Sequence, residues 1–488
     1  MISLKNLRIL SRRSCLKDKI ITSWWQSFLR YSLLEKVVLL APILVWFSYY
    51  PNFHFGTAGG ANLEFSITLI YVVVLAALGL PSVWKSRQVI FNKKIVWLTG
   101  LFVFWNILSV VWSPNTIRTI LTSGVWLIIW LDFLAVLSLS DITKLIRQMT
   151  KILVFMSLVI SIVAIAQVIY GTWIDWGLCR GCLARGFGFT RPSAFTIEPQ
   201  FLGNLLLVPI LYLLHKQFTG CTTKIEKIIL WINLLVLYLT LSRGAIFAGV
   251  ISMVVMIFIG QKMSKKVIVR NTMITIVLLI SSFSAGLIFH GIFTQLNPRV
   301  TDGFYESISK SINHMSLGKI SLPNHAQKSS SFDTKQIDFG TQPHQPQQAM
   351  FDGYVERSTN ERTNMIKLAL ETWRRDSSTI WFGVGSGATG SAIYAYTGKI
   401  SNTSEITQNQ AVEILLENGL VGVIIVLGII ILFSYWTRVY KWSWVVLLAF
   451  LIQWNFFSGL PNALHIYLIL AVIFATIGRV NEQEKTLS

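Results

Sequence analysis

The sequence predicts an all-α polytopic membrane protein with about 12 transmembrane helices and one large extracytoplasmic loop containing short amphipathic helices. Two observations carry that prediction. Of 488 residues, 53% are hydrophobic and only 13% charged, against roughly 25% charged in an ordinary soluble protein. The apolar residues also fall into runs that approach the ~20 residues needed to cross a hydrocarbon core of about 30 Å. This composition excludes a soluble enzyme. Forty-two Lys and Arg against 22 Asp and Glu give a formal charge of +20, which in a soluble chain would point to a nucleic-acid or anionic-surface partner. Four cysteines cannot build a disulfide framework, and no small-residue cleavage site follows the first apolar stretch. The apolar segments are therefore expected to remain in the mature protein.

The candidate spans are 37–51, 66–84, 96–112, 120–139, 152–170, 201–215, 228–241, 245–260, 273–293, 420–436, 442–457 and 464–477. The run 228–260 is interrupted by a single charge, Arg243, and as one helix it would measure about 50 Å, too long for one crossing. Lys216, Lys224 and Lys227 precede it, and Lys262, Lys265, Lys266 and Arg270 follow it. Two basic flanks belong on the same, cytoplasmic side, so the chain is expected to turn at Ser242, Arg243 and Gly244. The other loops then alternate. Of the 42 basic residues, 26 fall inside and 16 outside. Most of the +20 charge is thus a topology signal, with no nucleic acid required.

The resulting division is a basic cytoplasmic tail at 1–36, helices one to nine at 37–293, the extracytoplasmic loop at 294–410, helices ten to twelve at 411–478 and a second cytoplasmic tail at 479–488. Both termini are expected in the cytoplasm. Within the loop, about 311–350 is rich in Ser, Gln, Pro, Lys and His with little apolar periodicity, and reads as a flexible insertion. The stretch 362–375 instead places Met365, Leu368, Ala369 and Trp373 on one helical face. A phosphate loop would need a strand before it and a helix after it in a cytoplasmic βαβ unit, and the Gly-rich stretch 382–387 is expected on the outer side.

Three outer arginines stand close to spanning segments: Arg191 in TRPSAFTIEP, Arg243 in LTLSRGA, and Arg362 at the start of the amphipathic stretch. An ionisable group at the membrane surface is a functional candidate by default, although a snorkelling arginine on lipid phosphate is the plain alternative. A guanidinium matches a phosphate or diphosphate bidentately, and a lipid diphosphate is the anionic ligand at hand outside the cell. These segments, with WFGVGSG and TQNQAVEILLENGLVG after them, resemble in order and spacing the O-antigen ligase and polymerase superfamily, over roughly 191–423.

That resemblance implies an inverting, metal-independent transfer of a glycan from undecaprenyl diphosphate to an acceptor hydroxyl at the outer face of the inner (cytoplasmic) membrane, with no cofactor. Arg191, Arg243 and Arg362 would hold the diphosphate and stabilise it as it leaves. The outer loops contain no Asp-x-Asp pair, compatible with a metal-free mechanism. Ligases of the family carry His-Asn before the last loop helix. Here the aligned pair is Gln408 and Asn409, and glutamine cannot accept a proton. His314, His325 and His344 fall in the insertion and do not match. Glu198, seven residues after Arg191, is the first candidate base, followed by Glu413 and Glu417, although a carboxylate near arginines is more often an ion-pair partner.

Loss of the histidine moves the expectation from ligase toward a polymerase that joins lipid-linked repeat units, with a second lipid-linked glycan as acceptor. The alternatives are a ligase that transfers to lipid A-core or another acceptor, and a secondary transporter, for which Asp132 within the fourth segment would be the ionisable group. A peptidoglycan polymerase would need an acidic motif that is not found. Membrane lipids and a chain-length regulator complete the expected partners. Cys179 and Cys182 form a Cys-x-x-Cys pair without the second pair that zinc needs, and Cys15 and Cys221 read as single thiols on the cytoplasmic side.

Overall fold

The computed structural model describes residues 30–58, 61–139, 142–171, 184–186, 189–259, 265–295, 304–316, 354–400, 402–437, 441–460 and 463–486. His325, His344, Cys15, Cys179, Cys182 and most of the expected insertion lie outside the described residues. The chain is an all-α polytopic membrane protein. Among the described residues seven helices are long and apolar enough to cross a membrane, and three shorter apolar helices accompany them.

In chain order the elements are α1 (Leu33–Leu39), α2 (Ala41–Leu44), the hairpin β1 (Asn52–Ala58) and β2 (Ala61–Ser66), α3 (Ile67–Lys85), α4 (Arg87–Phe91), α5 (Lys94–Leu108), α6 (Thr116–Leu137) and α7 (Ile142–Gly171). A second small hairpin, β3 (Ala184–Gly186) and β4 (Phe189–Arg191), leads to α8 (Pro199–Thr219), α9 (Lys224–Leu239), α10 (Arg243–Ile259) and α11 (Lys265–Gln295). The remainder is α12 (Phe304–Met315), α13 (Tyr354–Trp373), α14 (Ser377–Phe382), α15 (Thr389–Thr397), α16 (Gln410–Trp436), α17 (Lys441–Gln453) and α18 (Leu464–Thr486).

Helix starts follow local chemistry. Asn115 accepts from the Arg118 amide to cap α6, Ser66 accepts from the Leu69 amide to cap α3, and Thr223 and Glu226 form a capping box on α9. The long apolar run breaks where its length demands: α9 ends at Leu239 and α10 begins at Arg243. The first expected span, 37–51, differs. It is α1 and α2 followed by the β1–β2 hairpin, because Pro42 at the start of α2 has no amide to continue the α1 ladder.

The central element is α8. In it Leu202, Leu205, Leu206, Leu207, Val208, Ile210 and Leu211 are fully buried, and 78% of its apolar window lies inside the protein, against 17% for α11. A helix that is apolar all round belongs in the interior, and one that leaves Val277 and Ile280 exposed faces lipid. Around α8 pack α7, α9, α10 and α17. Asp132, on α6, is fully buried with neither carboxyl oxygen bonded to a described residue. Cys221, read from the sequence as a single thiol, is disulfide-bonded.

Candidate functional site

The site is built from the segment ahead of α8, the turn between α9 and α10, the short helix α12, and the loop elements that dock on α16. The segment after β4 is pinned by Gln167 of α7, whose Oε1 accepts from the amides of Ser193 (3.2 Å) and Ala194 (2.7 Å) and whose Nε2 donates to Ala194 O (3.0 Å). Ala194 sits at φ 49°, so this corner is held against its own backbone preference.

Arg191 closes the next contact. Its Nε donates to Thr240 O at 2.8 Å and its Nη2 to Leu241 O at 3.3 Å. Those carbonyls belong to the turn that delivers Arg243 to the first position of α10. Leu241 adopts φ 45° and is fully buried, and the Ser242 hydroxyl accepts from the Ala245 amide at 3.5 Å. Behind the turn, a Cβ on Gly244 would lie 2.6 Å from the Phe456 ring, so α10 starts in close contact with the segment after α17. Arg191 and Arg243, far apart in sequence, thus share one turn.

His314, at the end of α12, donates from Nε2 to the same Leu241 carbonyl at 3.2 Å. A carbonyl can only accept, so Nε2 carries the proton. The helix is fastened to α11 through Ser311 Oγ and His290 Nδ1, 2.6 Å apart. Burial, together with the positive charges of Arg191, Arg243 and Arg362, lowers the His314 pKa from 6.5 to about 3 against the opposing pull of the Leu241 carbonyl. Three arginines from β4, α10 and α13 therefore bear on one neutral imidazole. Sequence reasoning placed His314 in a flexible insertion. Residues 311–315 instead complete an amphipathic helix in which Ser311 and His314 are buried.

The loop helices form their own apolar cluster. Leu368 and Ala369 of α13 are buried, with Met365 and Trp373 beside them, against Val384, Ala388, Ala392, Ile393 and Leu416, the face expected from the spacing. The Gly-rich stretch docks on a kink in α16 at Gly419, φ 64° and ψ −169°. The kink releases carbonyls that a membrane helix cannot leave bare. Leu416 O accepts from the Val384 amide, Glu417 O from the Gly385 amide, both at 2.9 Å, and Asn418 O from Trp105 Nε1 at 3.1 Å. A Cβ at Gly383 would come within 2.4 Å of the Glu417 backbone, and one at Gly419 within 2.3 Å of Trp381 O. The glycines of both motifs are there for this backbone-to-backbone approach.

The carboxylate candidates differ in environment. Glu198 is exposed and is the N-cap residue of α8. Glu413 is buried, and its Oε2 accepts from the Thr407 amide (3.0 Å), Thr407 Oγ1 (2.9 Å) and Ser458 Oγ (2.6 Å). Glu417 Oε1 accepts from Thr389 Oγ1 at 2.9 Å. Gln408 is exposed at φ 53°, and Asn409 caps α16 by accepting from the Val412 amide at 3.1 Å. Glu413 therefore braces the corner that presents Gln408, and Arg118 supports the strand of loop before it through Thr403 O (3.2 Å) and Ser404 O (3.1 Å).

The family described as O-antigen ligase matches residues 228–427. Arg243, Arg362, Gln408, Glu413 and Glu417 lie inside the matched range, whereas Arg191 and Glu198 precede it. No curated protein matches the chain.

Proposed function

We propose, from the match of residues 228–427 to the family described as O-antigen ligase, that the chain is a membrane-embedded glycosyl-transfer enzyme of polysaccharide synthesis with one specific reaction. The protein transfers a glycan from undecaprenyl diphosphate to an acceptor hydroxyl at the outer face of the inner membrane, and it polymerises lipid-linked repeat units. The observation that carries this reading is that Arg191 and His314 both donate to the carbonyl of Leu241, in the turn that leads to Arg243 at the start of α10, with the charge of Arg362 also felt at His314. Guanidinium groups match a diphosphate bidentately, and a diphosphate is the anion a lipid-linked donor supplies.

In the proposed step the acceptor oxygen attacks the anomeric carbon on the face opposite the diphosphate. The bond from that carbon to the phosphate oxygen breaks, and its electron pair passes to the diphosphate held by the arginines, where preorganised positive charge stabilises the leaving group. The acceptor proton goes to a base. Glu198 is the residue we assign, because its carboxylate is exposed where Glu413 has Oε2 occupied by three donors. Gln408 orients the acceptor and takes no proton. No metal or cofactor enters the step.

The division of the chain follows from this reading. The 1–36 and 479–488 tails lie in the cytoplasm, the 294–410 loop lies outside, and 37–293 and 411–478 carry the crossings, with 37–51 no longer one of them. The test is incubation of the purified protein with a polyprenyl-diphosphate-linked repeat unit. A ladder of longer lipid-linked chains is expected. Transfer only to lipid A-core or another acceptor would make the protein a ligase, and ion flux without transfer would make it a carrier.

A further inference from the structure

His314 is 4% exposed, on a helix of the large loop. Its Nε2 donates to Leu241 O, the carbonyl that Arg191 also reaches. Leu241 has a side chain in a left-handed backbone conformation, which L residues disfavour. Such a conformation persists only where the surroundings over-determine it. Here the surroundings include two donors to its carbonyl, a guanidinium from β4 and an imidazole from α12. The next residue but one is Arg243.

Resting on the diphosphate-clamp reading above, we propose that His314 is a positioning residue of the donor site: by holding the Leu241 carbonyl it fixes the turn that aims Arg243, and it does this as a neutral hydrogen-bond donor without taking part in proton transfer. Neutrality matters because a charged group in that place would add a fourth cation to Arg191, Arg243 and Arg362. A buried donor to a carbonyl suffices. The imidazole itself is not needed if another neutral donor reaches the same oxygen. The same assignment gives α12 a purpose, since Ser311 and His290 fasten that helix to α11 and so set the height of His314 against the turn. Within the large loop, α12 is then the element that ties loop position to donor-site geometry.

The experiment compares His314→Ala, His314→Gln, His314→Lys and Arg243→Ala with the unaltered protein, full length in detergent or proteoliposomes, on a polyprenyl-diphosphate-linked glycan. Thermal unfolding of each variant verifies that it is folded. Loss of one hydrogen bond that holds a charged clamp corresponds to about a tenfold change, so His314→Ala should raise the donor KM by about that factor. His314→Gln, which places a neutral N–H near the position of Nε2, should stay within about threefold, the residual of an imperfect bond. His314→Lys should fail as Arg243→Ala does. A wild-type KM in a folded His314→Ala overturns the proposal. So does a His314→Gln whose kcat is as low as that of His314→Ala, since the imidazole would then be acting chemically. The underlying reading fails separately: if Arg243→Ala keeps a wild-type donor KM and inorganic pyrophosphate does not compete with donor, there is no clamp to position and both readings fall.

Discussion

At the scale of single residues the site is organised by hydrogen bonds to backbone carbonyls. Arg191 holds Thr240 O and Leu241 O, so replacing it removes two bonds from a turn already strained at Leu241. Arg191→Lys keeps the charge and loses the fork. It is expected to lower transfer by about tenfold or more, because a point charge cannot reproduce two directed bonds, and initial rates at saturating donor measure it. The base assignment is checked with Glu198→Gln and Gln408→His. The first should abolish most turnover and the second should leave it near wild type; intact transfer in Glu198→Gln would remove Glu198 from the mechanism. His314 also sets a pH dependence. An unfolded chain takes a proton on this side chain near pH 6.5, whereas in the fold it waits until about pH 3. Between those values the unfolded state binds more protons, so stability falls as pH drops from about 6.5 toward 3. Melting temperatures from pH 7 to pH 5 should fall more steeply for the unaltered protein than for His314→Gln.

At the scale of elements, the division between what the sequence discloses and what it conceals follows the range of the interactions. The apolar face of α13, Met365, Leu368, Ala369 and Trp373, is legible because helical periodicity is a local property, and those residues are the ones in the loop cluster. The break at Ser242 and Arg243 is legible because a helix spanning 228–260 would overrun the bilayer. By contrast α12 is short and polar, and the contact that gives it meaning reaches back 73 residues to Leu241. No periodicity announces such a bond. The Gly-rich stretch was visible as a motif, but its partner, the kink in α16, appears only in three dimensions. That docking has a direct test. Gly419→Ala or Gly383→Ala must clear backbone atoms 2.3–2.4 Å away and adopt positive φ, together worth about 2–5 kcal/mol. A fall in melting temperature and in folded yield is expected for each, whereas Gly398→Ala, also at positive φ but with no neighbour within 4 Å, should cost only about 1–2 kcal/mol.

At the scale of the whole molecule, one end of the bundle carries the site. The start of α8, the start of α10, the segment after α17 and the start of α16 meet there, as the bond from the Gln410 amide to Trp454 O records. The rest of the bundle holds this end together around α8 and offers exposed apolar side chains on α11 to lipid. The charge asymmetry of the sequence would then have a spatial meaning under the proposed topology: 26 basic residues would orient the helices and 16 would face the outer side, among them the three arginines whose charge is felt at His314. Orientation is open to a labelling test. A cysteine at exposed Tyr305 or Lys399 should react with an impermeant maleimide in intact cells, whereas one at exposed Trp84 should react only after permeabilisation. The reverse pattern would invert the topology.

The claim on which the others depend is that the arginines hold a leaving diphosphate while a glycosidic bond forms. Its most direct measurement is the release of free polyprenyl diphosphate, quantified against glycosidic bonds made, in proteoliposomes holding the unaltered protein or Arg243→Ala. One diphosphate lipid released per bond formed, and a loss of about a hundredfold or more in the variant as for other removed leaving-group or oxyanion donors, is the result expected. Release unaffected by Arg243→Ala, or bond formation without release, would contradict it.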